Sequence, residues 1–209
     1  MPAFLYLRGI GNCAGLFVFL QTEIISMEMN FAKNIAYVAC FPRNGWVEVS
    51  RDGVQARQVQ ARVLYPMMAV VALSAFMALL YNEEATLTGC IQSAIIEFAK
   101  YFFTYLLASY VLTGYFPVVV KDRQSADRAN VVIQYCMAII IALNIIDNLL
   151  PVAFPYLRIL YCYIFFVAWK ADAYLGIKEE GDKKFLIVAA ALVLVIPIVI
   201  SFCLEWVLI

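Results

Sequence analysis

The hydrophobic positions of this chain are gathered in long apolar stretches that are separated by short polar connections. A helix that crosses a bilayer needs about 20 consecutive, mostly apolar residues. The sequence predicts five such spans, at about 63–81, 91–116, 131–150, 153–174 and 185–207. The fourth span is the least regular, because its uninterrupted apolar part runs only from Ile159 to Trp169. The pattern therefore predicts an all-α, polytopic membrane helix bundle.

A mixed apolar and basic segment precedes the first span. Residues 43–62 combine Trp46 and several valines with Arg51, Arg57 and Arg62, which is typical of an amphipathic helix at a membrane interface. Pro42 separates this helix from a shorter one over 29–40, since proline disfavours helix in the residue before it. The alternative is a solvated basic segment that serves only to orient the protein. Residues 29–62 are accordingly assigned to a cytoplasmic and interfacial segment.

Residues 1–28 form a leader whose status is open. Their longest apolar run, Cys13–Leu20, is too short to cross a bilayer. A secretory signal is a second interpretation, but no small-residue cleavage site follows the run. We expect instead that translation naturally starts at Met27 or Met29, where the polarity pattern becomes regular. Mass spectrometry of the native protein tests this hypothesis.

The charges of the connecting segments predict the orientation. Lysine and arginine accumulate on the cytoplasmic side of short loops. With five spans, twelve basic residues fall on one side and Arg158 alone falls on the other. The amino-terminal segment is therefore expected in the cytoplasm and the carboxyl terminus outside.

The composition supports a membrane protein and narrows its function. The chain is 65% hydrophobic and 14% charged, against roughly 45–50% and about 25% in an ordinary soluble domain. It contains no histidine, which excludes histidine-based zinc sites and Ser-His-Asp triads. Its 15 basic and 15 acidic residues balance, which argues against nucleic-acid binding.

No catalytic, metal or cofactor site is predicted. Residues 52–57 resemble the opening of the CDP-alcohol phosphatidyltransferase signature, in which later aspartates complete a site for two metal ions. Those later positions hold Pro66, Val70 and Ser74 here. The six cysteines lie at least 26 residues apart, which is not a zinc-binding spacing.

Polar residues inside the predicted spans are the candidate functional groups, because burying a charge in a bilayer costs at least about 2.5–3.5 kcal/mol. The predicted orientation places four of them in the outer half of the membrane, namely Glu97, Asp147, Arg158 and Glu205, with Lys100 slightly deeper. Asn144 and Asn148 form a polar patch with Asp147 near the outer end of the third span. One hypothesis is an outward-facing polar cavity that binds a solute, ion or lipid headgroup. The other is structural pairing, of Glu97 with Lys100 and of Arg158 with Asp147 or Glu205.

Several local features resemble the YIP domain family of Ypt/Rab-interacting membrane proteins. They are a Pro-x-x-x-Trp element at Pro42–Trp46, a proline at position 66 near the start of the first span, and the passage Ala168–Ile177. The resemblance covers about residues 29–209 and implies five spans with a cytoplasmic amino terminus. Eukaryotic relatives act in ER-to-Golgi traffic and bind prenylated Rab GTPases. The short basic amino-terminal region here is similar to compact bacterial relatives.

The sequence thus predicts a non-enzymatic scaffold or partner-binding protein without a cofactor, in the bacterial cytoplasmic membrane or, alternatively, the ER or Golgi membrane. Its partners are expected to be the lipid bilayer and a protein or a second copy of the chain, with no nucleic acid. The predicted contact residues are cytoplasmic: Trp46, Arg51, Arg57, Arg62, Lys121, Arg123 and Arg128. The alternative is a small transporter or channel with a cavity lined by Glu97, Lys100, Asp147 and Arg158.

Overall fold

The computed structural model describes residues 31–115, 123–150, 155–176 and 184–208, and every regular element within them is a helix. The leader over 1–28 and Lys121 lie outside the described residues. The helices are α1 (31–40), α2 (Pro42–Arg51), α3 (Ala56–Tyr81), α4 (Leu87–Tyr115), α5 (Arg123–Leu149), α6 (Pro155–Trp169), α7 (Asp172–Leu175) and α8 (Lys184–Leu208).

Four of these helices are long and apolar enough to cross a membrane. The qualifying stretches within the described residues are Ala56–Tyr81, Leu87–Leu112, Ser125–Leu149 and Lys184–Trp206. They correspond to the first, second, third and fifth predicted spans.

The fourth predicted span differs from the expectation of one helix over 153–174. Helix α6 has 15 residues and is about 22 Å long at 1.5 Å per residue, whereas the apolar core of a bilayer is about 30 Å thick. The helix ends at Trp169, and Lys170 and Ala171 form a turn before α7 begins at Asp172. Lys170 and Asp172 interrupt the apolar stretch where α6 ends.

The amphipathic segment also differs from one continuous helix over 43–62. Phe41 has a non-helical backbone and Pro42 occupies the first turn of α2, so the predicted break between α1 and α2 is confirmed. A second break follows at Gly53, whose φ of 60° is readily adopted by glycine. Residues 56–62 consequently belong to α3, which contains a π-helical turn over Gln60–Leu64.

Helix α5 is the centre of the bundle. Within the most apolar stretch of each long helix, 72% of α5 is buried, against 28% to 33% of α3, α4 and α8. Every residue from Val131 to Ile141 is buried. The other long helices therefore surround α5 and turn much of their surface outward.

Side-chain contacts give the directions of α3, α4 and α5. On α4 and α5 the paired positions run in opposite order, as in Tyr105 with Gln134 and Ser109 with Asn130. These two helices are antiparallel. On α3 and α5 the order is the same, because Ala56 pairs with Asp127 and Ser74 with Asn148. We call the end at which α3 and α5 begin the α2 end of the bundle, and the opposite end the far end.

Large apolar side chains cover the outside of the bundle. They lie on α3, α4 and α8, and Trp206 near the end of α8 is 84% exposed. A water-soluble monomer rarely shows contiguous apolar surface of this extent. The arrangement is that of an integral membrane protein. The exposed set includes Leu73, Leu80, Tyr110, Ile198, Val199 and Phe202.

Helices α1 and α2 cross in close contact at Gly45. A Cβ atom at this position would lie 2.5 Å from the Cα atom of Val38 on α1. Val38 on α1 and Trp46 and Val49 on α2 are buried and join the core of the bundle. The apolar face of α2 is therefore covered by protein.

Candidate functional site

Three of the polar residues predicted inside the membrane meet between α4 and α5. The Lys100 Nζ atom donates a hydrogen bond to Glu97 Oε1 at 2.6 Å, and the two side chains are 13% and 17% exposed. Asn144 Nδ2 donates to the other Glu97 oxygen, Oε2. We call these three residues the Glu97 cluster. Both carboxylate oxygens of Glu97 thus accept a hydrogen bond.

Neighbouring groups on α4 surround the cluster. Lys100 Nζ lies 4.9 Å from the centre of the Tyr101 ring, a distance at which the aromatic face attracts a cation. The Thr104 hydroxyl donates to the backbone carbonyl of Lys100. Because the ammonium and the carboxylate neutralise each other, the cluster places no net charge inside the bundle.

Asn148 forms a separate contact one helical turn beyond Asn144. Its Nδ2 atom donates to the Ser74 hydroxyl at 2.8 Å, and that hydroxyl donates to the Val71 carbonyl at 2.7 Å. This contact ties α5 to α3, whereas the Glu97 cluster ties α5 to α4. Polar residues on one helix therefore connect to two different neighbours.

Asp147 and Glu205, two further predicted site residues, have described side chains that form no hydrogen bond or ion pair with the Glu97 cluster. Asp147 is half-buried, and its carboxylate forms no hydrogen bond or ion pair with any described residue. Glu205 is exposed and accepts a hydrogen bond from Ser201 on the same helix. The side chain of Arg158 lies outside the described part of the chain, so its predicted pairing is not described. Among the described side chains of the predicted set, hydrogen bonds therefore join Glu97, Lys100 and Asn144.

Two further polar contacts on α4 and α5 were not predicted from the sequence. Gln134 Nε2 donates to the Tyr105 hydroxyl at 3.1 Å, and the Ser109 hydroxyl donates to Asn130 Oδ1 at 2.7 Å. Together with Glu97 and Asn144, these pairs follow the antiparallel register of two helices. The sequence could have indicated these two contacts if the second and third spans had been paired as antiparallel helices, which places Gln134 opposite Tyr105 and Asn130 opposite Ser109.

Trp46, one of the predicted interfacial or partner contact residues, is buried in the bundle. Its side chain is only 1% exposed, its Nε1 atom donates to the Val167 carbonyl at 2.9 Å, and its ring lies 5.7 Å from Tyr135 and 5.5 Å from Tyr174. Tryptophan carries a large apolar ring and a single donor, so it is buried where a carbonyl can accept from it. Trp46 thereby joins α2 to α5, α6 and α7.

The predicted basic contact residues differ in exposure. Arg51 is exposed and lies 3.6 Å from the Glu48 carboxylate, and Arg57 is also exposed. Arg62 and Arg128 are half-buried. The side chain of Arg123 lies outside the described residues. Of the predicted basic contact residues with described side chains, Arg51 and Arg57 are therefore the exposed ones.

Asp127 and Tyr174 complete the α2 end. Asp127 Oδ2 accepts a hydrogen bond from the first backbone amide of α3, at Ala56, and so caps the helix where its amide groups lack partners. Burial is the main reason why the pKa of Tyr174 is raised to about 12, with Arg128 acting to lower the pKa and Asp127 acting to raise it. The tyrosine hydroxyl therefore stays neutral at ordinary pH.

Two open pockets lie at the α2 end. One has a volume of about 320 Å³ and lies between α1, α2 and the start of α3. The other, of about 280 Å³, lies beside Trp46, Arg51 and Tyr174. Both are lined by residues outside the Glu97 cluster.

Comparisons of the chain with protein-family models, with curated proteins and with solved structures give no match. The proposals that follow therefore depend on the geometry of the described residues. The Glu97 cluster and the surface at the α2 end supply that geometry.

Proposed function

We propose that this chain is a non-enzymatic, multi-pass membrane protein that acts as a scaffold or partner-binding module. The observation that carries the proposal is the Glu97 cluster, in which the charged groups of a membrane helix bind one another and a neighbouring helix. Buried charges of this kind are tolerated when they are paired and hydrogen-bonded. These paired groups stabilise the bundle, and the protein then binds its partners through its surface.

The proposal includes a fifth crossing by α6. Val167, near the carboxyl end of α6, contacts Trp46 at the α2 end, which fits a helix that runs opposite to α5. A helix shorter than the bilayer core is accommodated by local thinning and by flanking residues that extend to the interface. Five crossings also leave the basic residues of the connecting segments together on the cytoplasmic side.

The proposed contact surface is the exposed basic side of α1, α2 and the start of α3. Lys33, Arg43, Arg51 and Arg57 are exposed there, and such groups attract acidic partners and anionic lipids. The resemblance to the YIP family supports a protein partner at this side of the membrane. A compact bacterial relative would carry this surface in the cytoplasmic membrane, and a eukaryotic one in the ER or Golgi membrane.

Photo-crosslinking in native membranes tests the proposal. A crosslinking amino acid at Arg43 or Arg57 is expected to give a discrete protein adduct, either with a second copy of the chain or with a different partner. The same amino acid at Phe202, an exposed apolar position on α8, serves as the control and should react with lipid alone. Adducts with lipid alone at all three positions would contradict a partner-binding role.

Transport of a small ion or solute is the second candidate function, and Asp147 favours it. A half-buried carboxylate without a partner among the described residues is unusual in a membrane helix and marks ion pathways in other proteins. The transport hypothesis expects Asp147→Asn to abolish proton or potassium flux in proteoliposomes without lowering the melting temperature. If Asp147→Asn and Glu97→Gln lower only the melting temperature, both residues are structural.

A further inference from the structure

The pocket between α1, α2 and the start of α3 has the size of a site for a small polar group. Its volume is about 320 Å³, near the lower end of the roughly 300–1,000 Å³ typical of small-molecule sites. Its polar lining consists of Lys33, Asn34, Glu48, Asp52 and Gln58. Phe31 and Val54 contribute apolar walls.

The pocket presents charges of both signs. Lys33 on α1 supplies an ammonium group, while Glu48 and Asp52 lie four positions apart at the end of α2 and supply two carboxylates. Arg51 lies 3.6 Å from Glu48 and does not line this pocket. A ligand that carries one positive and one negative group matches this distribution better than a simple cation or anion does.

Buried polar side chains form the inner part of the site. Asn34 is 6% exposed, and its Nδ2 atom donates to Asp52 Oδ2 at 2.7 Å, which fixes the orientation of this carboxylate. Behind it lies the hydroxyl of Tyr135, a side chain with no exposed surface that interacts with Asn34 and Asp52.

The position of the pocket along the bundle indicates where its ligand comes from. Gln58 lies in the first turn of α3, a helix long and apolar enough to cross the membrane. The charged lining lies on the segments that lead into this helix. The pocket is therefore at the depth of the lipid headgroups.

From these observations we infer that the pocket binds a phosphoethanolamine group, with the ammonium on Glu48 and Asp52 and the phosphate on Lys33. The primary ammonium donates three hydrogen bonds, which two carboxylates and an amide oxygen can accept. A divalent cation needs six or more oxygen ligands, and the described residues place no third acidic, histidine or cysteine side chain with these two. A choline group carries no N–H donor and so cannot donate a hydrogen bond to either carboxylate.

Lipid titrations of the purified full-length protein test this inference. Phosphatidylethanolamine, phosphatidylcholine and phosphatidylglycerol are added separately to protein in detergent, and the melting temperature and the number of retained lipids by native mass spectrometry are recorded. Phosphatidylethanolamine should stabilise the protein most. Free O-phosphoethanolamine should compete with it if the headgroup alone is recognised. Failure to compete, with phosphatidylethanolamine still preferred, shows that the ligand is the whole lipid.

Substitutions on the two sides of the pocket provide the decisive comparison. Lys33→Gln and Glu48→Gln should each weaken apparent phosphatidylethanolamine affinity by about three- to tenfold, the effect of one charged contact in a half-open site. Lys184→Gln removes an exposed charge from α8, outside both the pocket and the basic contact surface, and should have no effect. The inference is overturned if Lys184→Gln and Lys33→Gln weaken binding equally, or if phosphatidylglycerol stabilises the protein as strongly as phosphatidylethanolamine does.

Discussion

Glu97 and Lys100 show how single residues make a charged pair acceptable inside a membrane helix. Their spacing of three positions brings the two side chains together on one face of α4. The pair is nearly enclosed, and Asn144 on α5 binds the oxygen of Glu97 that Lys100 leaves free. Loss of the lysine would leave a carboxylate with a single amide donor in an apolar environment.

Lys100→Met is therefore expected to lower the free energy of unfolding by about 3–5 kcal/mol, the usual effect of removing one partner of a buried ion pair. The double variant Glu97→Gln/Lys100→Met should be less destabilised than Lys100→Met alone, because no unpaired charge remains. Thermal unfolding in nanodiscs measures both. Lys184→Met, at an exposed lysine on α8, is the matched control. Equal effects of Lys100→Met and Lys184→Met would contradict a stabilising pair.

Tyr174 links the stability of the α2 end to pH. Its pKa in the folded protein is about 12, chiefly because the side chain is buried, whereas an unfolded tyrosine has a pKa of about 10. The unfolded state therefore loses the proton first as the pH rises. The contribution of Tyr174 to stability is present in full below pH 10 and is lost between pH 10 and about 12.

Tyr174→Phe should accordingly weaken the fall in melting temperature between pH 10 and 12. Thermal unfolding at half-unit pH intervals measures the difference between the variant and the unchanged protein. Tyr110→Phe, at an exposed tyrosine on α4, is the matched control for the loss of a tyrosine hydroxyl. Identical profiles for Tyr174→Phe and the unchanged protein would show that this hydroxyl does not contribute.

At the scale of the helices, the sequence predicted those features that depend on contacts between residues close to one another along the chain. Hydropathy located the four long helices, and helical spacing indicated the Glu97–Lys100 pair, because both depend on residues close in sequence. The burial of Trp46 depends on Val167, which is 121 positions away. An amphipathic pattern indicates that the apolar face of a helix is shielded from water, but it does not show whether lipid or protein contacts that face.

The crossing of α1 and α2 depends on Gly45. Gly45→Ala would bring a methyl group to 2.5 Å from the backbone of Val38. A flexible side chain could relieve such a clash by changing rotamer, but a backbone atom cannot. We expect a loss of about 1–3 kcal/mol, typical of overpacking. Helix α1 should also separate from α2, which would increase tryptic cleavage at Lys33 and Arg43.

Gly114→Ala is the control for this crossing. Gly114 lies in α4 with open space where its Cβ atom would be placed, so alanine should leave stability unchanged or raise it by up to about 1 kcal/mol through its higher helix propensity. Limited proteolysis and thermal unfolding compare the two variants. If both behave alike, the α1–α2 contact does not limit the stability of this region.

For the whole molecule, the number of crossings decides which compartment each end of the bundle faces. The contacts establish that α3 and α5 are parallel to each other and antiparallel to α4. The sequence could indicate this alternation but not whether α6 completes a further crossing, because a 15-residue apolar helix is short for a bilayer. If α6 crosses, α8 ends on the side opposite α1 and α2. If it does not, α8 ends on the same side as they do.

Cysteine labelling of intact cells separates these two arrangements. In a variant without native cysteines, Glu83→Cys reports the exposed connection between α3 and α4, and Glu205→Cys reports the exposed end of α8. Five crossings predict that a membrane-impermeant maleimide labels both positions from outside, because α3 and α8 then end at the same face. A cysteine retained only at exposed position 40 of α1 should react only after the membrane is permeabilised. Labelling of Glu83→Cys but not of Glu205→Cys in intact cells would show four crossings, because α8 would then return its end to the cytoplasm.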